Sequence, residues 1–355
     1  MFPRFRPLKP ADLLLLDSWC MDSMTAPPDG LPRFRSPPYA PCQVNLPMSI
    51  CAAGFPPLRI ALGANQAGVI DAGLPVLAGE PVEDLFGSAS PAGRMGAFTL
   101  FRTERWLLGA ATVSLSGGLE EASYRLYCDI FHASLGRHLV RIWNYVPAIN
   151  EPGPAGLENY RVFCRGRSFA FEQQYGSGFK AILPSASAVG SQPAALTVVF
   201  AASTVQPRHV ENPLQIPAYD YPGEYGPRPP SFSRATLVPG LGRATVFISG
   251  TAAIRGHTAV APHNTREQLE CTLENLREIS SACGLGPDLD RRGGSTRHFK
   301  VYLRRAADLP LTVATLDERL LASTDRVSYL QADMCRAALL VEIEASLFGV
   351  TGLRG

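Results

Sequence analysis

The chain has 355 residues, 46% hydrophobic and 18% charged, a globular composition with material for one large core or two domains. A net charge of +2 with scattered basic residues gives no field suited to a nucleic-acid partner. The eight cysteines form no CxxC pair and no apolar run can span a bilayer, which argues against a zinc site, a disulfide scaffold or a membrane span and for a cytoplasmic protein with reduced thiols.

The first predicted segment, 1–57, is proline-rich and weakly patterned and is expected to be irregular. Its apolar run 13–16, flanked by Asp12 and Asp17, is too short for a signal-peptide core. A strand is predicted at 58–63. A second strand-like run, 106–115, ends at Gly117-Gly118, and Leu119, Ala122, Leu126 and Ile130 then recur at helical spacing. HLVRIWNYV at 138–146 follows as a strand.

The same order returns about 150 residues later. A strand at 244–249 leads to LECTLENLREISSACGLG, with Leu269, Leu273, Leu276 and Ile279 on one helical face, and then to the strand HFKVYLRRA. A duplicated domain follows: a first module over 58–150, a connecting segment with binding loops over 151–235, and a second module over 236–355. The connecting segment holds GLENYRVFCRGRS, read as an aromatic loop, a strand at 196–203, and the stiff loop YDYPGEYGPRPPSFSRA.

Chemistry concentrates in four places. Arg161 and Arg165 in the first loop, and Arg228 and Arg234 in the second, are suited to bidentate recognition of carboxylates, or to surface ion pairs. SGTAAIRG, with Ser249, Gly250, Thr251, Ala252 and Ala253, allows close backbone approach to a ligand, or is a tight turn. In YLQADMCRAALLVEIE, Glu342 interrupts an apolar strand. It either points to solvent or is buried, and a buried carboxyl must find a cation or stay protonated, ready to act as a general acid. Cys335, seven residues earlier, can be a nucleophile, a pocket wall or a buried thiol. No HExxH or dinucleotide fingerprint occurs, so neither a metal nor a dinucleotide site is expected, and no GxSxG elbow appears.

Gln268 to Leu276, the SG at 249–250 and VEIEA at 341–345 resemble a YjgF/RidA-type module, and the first half is a looser version of it. RIWNYVPAIN, GLENYRVFCRGRS, YPGEYGPRPPSFSRA, SGTAAIRGH and ADMCRAALLVEIE together resemble the chorismatases, closest to 3-hydroxybenzoate synthases, including the bifunctional type that also forms 4-hydroxybenzoate for pigment supply. That resemblance implies an α/β fold of two YjgF/RidA-like mixed-sheet modules with helices on one face. It implies an enzyme that releases pyruvate from chorismate, needs no cofactor and is monomeric or trimeric. Glu342 matches the catalytic glutamate that protonates the enolpyruvyl methylene, and Cys335 the cysteine that steers the intermediate toward an arene oxide and 3-hydroxybenzoate. The arginines, with Tyr160, Tyr221, Tyr225 and the SGTAA turn, would hold the substrate. Hydrolysis to a dihydroxycyclohexadiene carboxylate, imine hydrolysis and non-catalytic binding of aromatic acids stand as alternatives.

Overall fold

The computed structural model describes residues 54–353 apart from 85, 154, 155 and 193, so most of the segment read as irregular, 1–57, lies outside the described residues. The described chain opens with β1 (Pro57–Ala61), β2 (Ile70–Gly79) and β3 (Val82–Asp84). A repeat follows: β4 (Ser90–Met95), β5 (Phe98–Arg102), β6 (Trp106–Ser114), α1 (Leu119–Ala133), β7 (His138–Pro147), α2 (Asn159–Tyr175), β8 (Ser185–Ser191) and β9 (Ala195–Ser203). The second copy runs through β10 (Arg208–Val210), β11 (Ala235–Val238) and β12 (Ala244–Ala252), then a small hairpin of β13 (Ile254–Arg255) and β14 (Thr258–Ala259). It closes with α3 (Thr265–Cys283), β15 (Thr296–Leu303), α4 (Leu309–Arg319), β16 (Arg326–Gln331) and β17 (Val341–Val350).

The two copies share one topology. The first sheet has the order β4-β5-β6-β9-β7-β8, and the second begins β10-β11-β12-β17-β15-β16 before adding β2-β1-β3 at its edge. In each, three antiparallel strands lead to a helix and a strand. A crossover helix then gives a parallel partner, β8 beside β7 and β16 beside β15. The last strand returns to the centre, antiparallel to both neighbours. This is the duplication anticipated from the two helix–strand units, with different borders. The segment read as a connector, 151–235, supplies α2, β8 and β9 to the first sheet and β10 and β11 to the second. The parallel strand β8 cannot be reached without its crossover.

Taking 156–172 as a loop is corrected as well: residues 159–175 are helical. Gly166 and the two arginines at 161 and 165 weaken its pattern, yet the glycine has a packing reason. A Cβ at Gly166 would sit 2.3 Å from the carbonyl oxygen of Glu120, so only glycine lets α1 and α2 approach this closely. The helix α3 starts a turn before Leu269, because Asn264 caps it by accepting from the Glu267 amide at 3.2 Å.

Three apolar layers hold the fold. One lies between α1, α2 and the first sheet, with Leu126, Ile130, Phe163 and Phe200 fully buried. Another lies between α3, α4 and the second sheet, around Leu276, Phe299, Leu316 and Ile343. The third joins the inner faces of the two sheets through Trp143, Phe247, Tyr302 and Leu330. Each sheet therefore carries helices on one face and the other sheet on its second face. Burying one such aliphatic side chain stabilises the fold by about 1.5–3 kcal/mol.

The inter-sheet layer also holds charge. Lys300 on β15 donates to Glu83 of β3 at 2.7 Å and pairs with Glu344 of β17 at 2.8 Å. Arg141 on β7 reaches Glu344 at 2.7 Å, and the Trp143 indole donates to it at 2.9 Å. All four charged side chains are buried. The network thus joins both sheets and the added strand β3 at one point.

Candidate active site

Side chains alternate along β17. Val341, Ile343 and Ala345 pack under α3, so Glu342 and Glu344 face the other sheet. The two carboxyls meet different surroundings. Lys300 and Arg141 overcome the cost of burial at Glu344 and hold it down to about 2. Glu342 is 3% exposed, and among the described residues nothing hydrogen-bonds its carboxyl. Burial, reinforced by the negative charge of Glu344, pushes it up to about 8, against the smaller opposing pull of Arg141 and Arg234. It is therefore mostly a neutral acid at pH 7.

Glu342 lines a cleft together with Tyr160, Tyr221, Tyr225, Phe232 and Cys335. The cleft lies where the first module meets the second. Its walls come from the start of α2, from the Tyr/Pro loop before β11, from β12 and from the segment between β16 and β17. Strand β12 bulges here. Ile248 pairs with Ala345 and Thr251 with Ile343, so Ser249 and Gly250 stand where regular pairing would place one residue. Gly250 lies against the acid, and a Cβ on it would be 1.9 Å from a Glu342 carboxylate oxygen.

Three guanidinium groups reach the cleft, those of Arg161, Arg234 and Arg336. Arg234 is buried and donates to the Tyr221 hydroxyl at 2.7 Å. Arg336 lies 4.1 Å from the centre of the Tyr225 ring and 5.0 Å from that of Tyr221, and donates to the His257 carbonyl at 2.6 Å. Arg161 pairs with Glu158 at 3.4 Å at the rim. Cys335 lines the same space. Burial, then the neighbouring Glu342, pushes its thiol up to about 12, so it is an uncharged SH and not a ready thiolate.

Of the residues singled out from sequence, Glu342, Cys335, Arg161, Tyr160, Tyr221, Tyr225, Arg234, Gly250 and Ala252 meet in this cleft. Ala252 is the alanine of the turn that faces it. Ala253 is fully buried and does not line it. Ser249 is occupied elsewhere: its hydroxyl donates to the Ser233 carbonyl at 2.6 Å and accepts from the Ala186 amide at 2.9 Å, which ties β12 to β8. Thr251 folds back onto the Ser249 carbonyl at 2.9 Å. Arg165 points to α1, where its Nε donates to Glu120 at 2.7 Å. Arg228 pairs with Glu172 at 2.8 Å and lies over Phe169 at 4.4 Å. Both ion pairs are partly exposed: Arg165 reaches from α2 to α1, and Arg228 reaches from the Tyr/Pro loop to Glu172 on α2. Sequence reasoning missed Arg336, Phe232 and Glu158. The adjacency of Arg336 to Cys335 was the available signal for the first.

A cleft with several cations around one neutral buried carboxyl can bind a small polyanion and protonate it. The sequence model of the FkbO/Hyg5-like chorismatase N-terminal domain matches residues 86–202, nearly the span of the first sheet and its helices. The chain belongs to the chorismatase family of enzymes. It is 39% identical over 250 residues to a chorismatase of Streptomyces hygroscopicus, covering 68% of this chain and 72% of that protein. It is 34% identical over 308 residues to a 3-hydroxybenzoate synthase of the same organism, covering 82% and 85%. A crystal structure of a chorismatase superposes with a TM-score of 0.66 at 34% identity, over 73% of this chain and 79% of that one.

Proposed function

We propose that this enzyme cleaves chorismate to pyruvate and 3-hydroxybenzoate, with Glu342 as the general acid. The observation that carries the reading is a buried carboxyl, pushed up to about 8, in a cleft lined by arginines and tyrosines. Chorismate is a dicarboxylate, and its enol ether needs a proton on the methylene carbon. Protonation there gives an oxocarbenium-like cation. If the ring C4 hydroxyl then attacks C3 as the C3–oxygen bond breaks, pyruvate departs and an arene oxide remains. That oxide opens to the hydroxybenzoate, so the elements of chorismate divide between the two products with no water added. Cys335, a neutral thiol beside the acid, is the side chain we assign to steering this step. A cytoplasmic site for the reaction fits the five unbridged cysteines among the described residues. Among those residues no helix is long and apolar enough to cross a membrane.

Incubation of the protein with chorismate, with pyruvate assayed and aromatic products separated by chromatography, tests the reading. Pyruvate with 3-hydroxybenzoate, alone or beside 4-hydroxybenzoate, is expected. Pyruvate with a cyclohexadiene diol would instead mean that water captures the cation and would remove the role of Cys335. No pyruvate would overturn the reading as a whole.

Two further outcomes follow. A general acid must carry its proton, so kcat/KM is expected to be level below about pH 8 and to fall above it, as the Glu342 proton is lost. A pH–rate profile with no alkaline limb would assign the acid elsewhere. Gly250→Ala would push the Glu342 carboxyl aside, and a displacement near 1 Å costs roughly a hundredfold in rate. Steady-state kinetics on a variant with a native melting curve would read that loss in kcat.

A further inference from the structure

Strand β8 ends the first sheet, so its outer backbone groups need partners from elsewhere. The second half of the chain supplies them at two points. At one end the Ser249 hydroxyl accepts from the Ala186 amide at 2.9 Å and the Thr236 hydroxyl from the Ser185 amide at 2.8 Å. The Ser233 amide there donates to the Pro184 carbonyl at 3.0 Å. At the other end the Gly190 amide donates to the Asp333 carbonyl at 2.7 Å, and Val189 bridges to Met334. Gly250 follows Ser249 and Cys335 follows Met334, and both line the space around Glu342. One edge strand is thus fastened next to two residues that flank the acid.

Ser249 differs from the other ties because it is itself one of the two bulge residues of β12, and it is fully buried. Its hydroxyl donates to the Ser233 carbonyl at 2.6 Å and its amide to the Arg234 carbonyl at 2.9 Å, so three chain segments meet on one residue. The bulge is what brings Gly250 against the Glu342 carboxyl. Resting on the reading of Glu342 as the acid, we propose that Ser249 is a positioning residue: by fastening the β12 bulge to β8, it holds Gly250 against Glu342 and keeps water out of that contact. Without the hydroxyl, the Ala186 amide and the Ser233 carbonyl lose a buried partner, and water is the group that can replace it. Water admitted at the bulge hydrates the neighbouring carboxyl, and a hydrated carboxyl ionises at lower pH. The other charged and titratable groups around it are Glu344 on its own strand, Arg141 of β7, Tyr302 of β15, Tyr160 and Arg167 of α2, Arg234 and Cys335. A change at Ser249 removes none of them.

The test is the titration of Glu342 in the wild type, Ser249→Ala and Thr236→Ala. It is read by the infrared carbonyl band of the protonated carboxyl, assigned by its loss in Glu342→Gln, and by the alkaline limb of kcat/KM for chorismate. Thr236 is the control: its hydroxyl is equally buried and holds the adjacent amide of β8, but it stands on β11, outside the bulge. Both variants should melt below the wild type. Only Ser249→Ala is expected to move the two titrations down, by about one pH unit or more, which is roughly a tenfold loss of kcat/KM at pH 9 and a smaller one at pH 6. Thr236→Ala should leave both in place. Should Ser249→Ala not fold, Ser249→Cys, whose thiol is only a weak donor and acceptor, must shift both in the same direction. An unmoved titration in the Ser249 variants, or an equal shift in Thr236→Ala, would give Ser249 a purely structural role. A wild type that releases no pyruvate would strike the chorismate reading alone, and the infrared titration would still decide the role of Ser249.

Discussion

Glu342→Gln is expected to lower kcat by roughly 10²–10⁴-fold while KM or the affinity for an unreactive analogue changes little. Glutamine keeps the shape of the carboxyl and its neutrality but has no proton to give. Because Glu342 is mostly protonated at pH 7, the substrate meets nearly the same surface in both proteins. Stability gives a second reading of the same group. A carboxyl raised from 4.5 to about 8 on folding is bound to its proton more tightly in the native state. Its contribution to stability is complete below pH 4.5 and declines as pH rises toward 8. Glutamine does not titrate, so the stability of the variant should gain on that of the wild type across this window and then run parallel above it. Urea unfolding at pH 5, 7 and 9 measures this. Normal turnover by the variant would remove Glu342 from the proton transfer, and parallel pH curves would mean that its carboxyl is not held neutral.

Lys300→Met is expected to destabilise the fold by about 3–5 kcal/mol, the usual cost of removing one partner from a buried ion pair. Lys300 is the ammonium between Glu83 and Glu344, at 2.7 and 2.8 Å, and all three are buried. Methionine has a similar volume, so the loss is electrostatic: two carboxylates remain between the sheets, with Arg141 bonded to only one of them. Glu344, held down to about 2 by Lys300 and Arg141, should titrate at higher pH in the variant, so the variant should lose less stability than the wild type as pH falls from 4.5 toward 2 and the gap between them should narrow. Chemical denaturation at pH 7 checks the first effect and an acid titration the second. A loss below 1 kcal/mol would mean that water or a shift of β3 compensates the carboxylates. The network also bears on the site, since Glu344 sits two residues from Glu342 and its charge helps keep the acid protonated.

Much of this was legible in the sequence, for identifiable reasons. The helical spacing of Leu119, Ala122, Leu126 and Ile130, and of Leu269, Leu273, Leu276 and Ile279, reflects helices with one face on a sheet, and their recurrence marked the duplication. Glu342 stood out because a carboxyl in an apolar strand must resolve its burial. Local sequence left α2 ambiguous, because the glycine that weakens its pattern answers to Glu120 on another helix. The arginines show the division most clearly. Arg161, Arg165, Arg167, Arg228, Arg234 and Arg336 are chemically alike. Which ones face the ligand depends on the rotation of α2 and on acids far along the chain, Glu120 for Arg165 and Glu172 for Arg228. Likewise, Glu342 and Glu344 are the same side chain on the same face of one strand. Only the cations brought by β7 and β15 make one an anion and leave the other an acid. Residue type and spacing determined which chemistry was present. Tertiary structure decided which copy of each group was paired and which was free, because a charge in low dielectric answers to whatever stands within a few ångströms in space, whatever its distance along the chain.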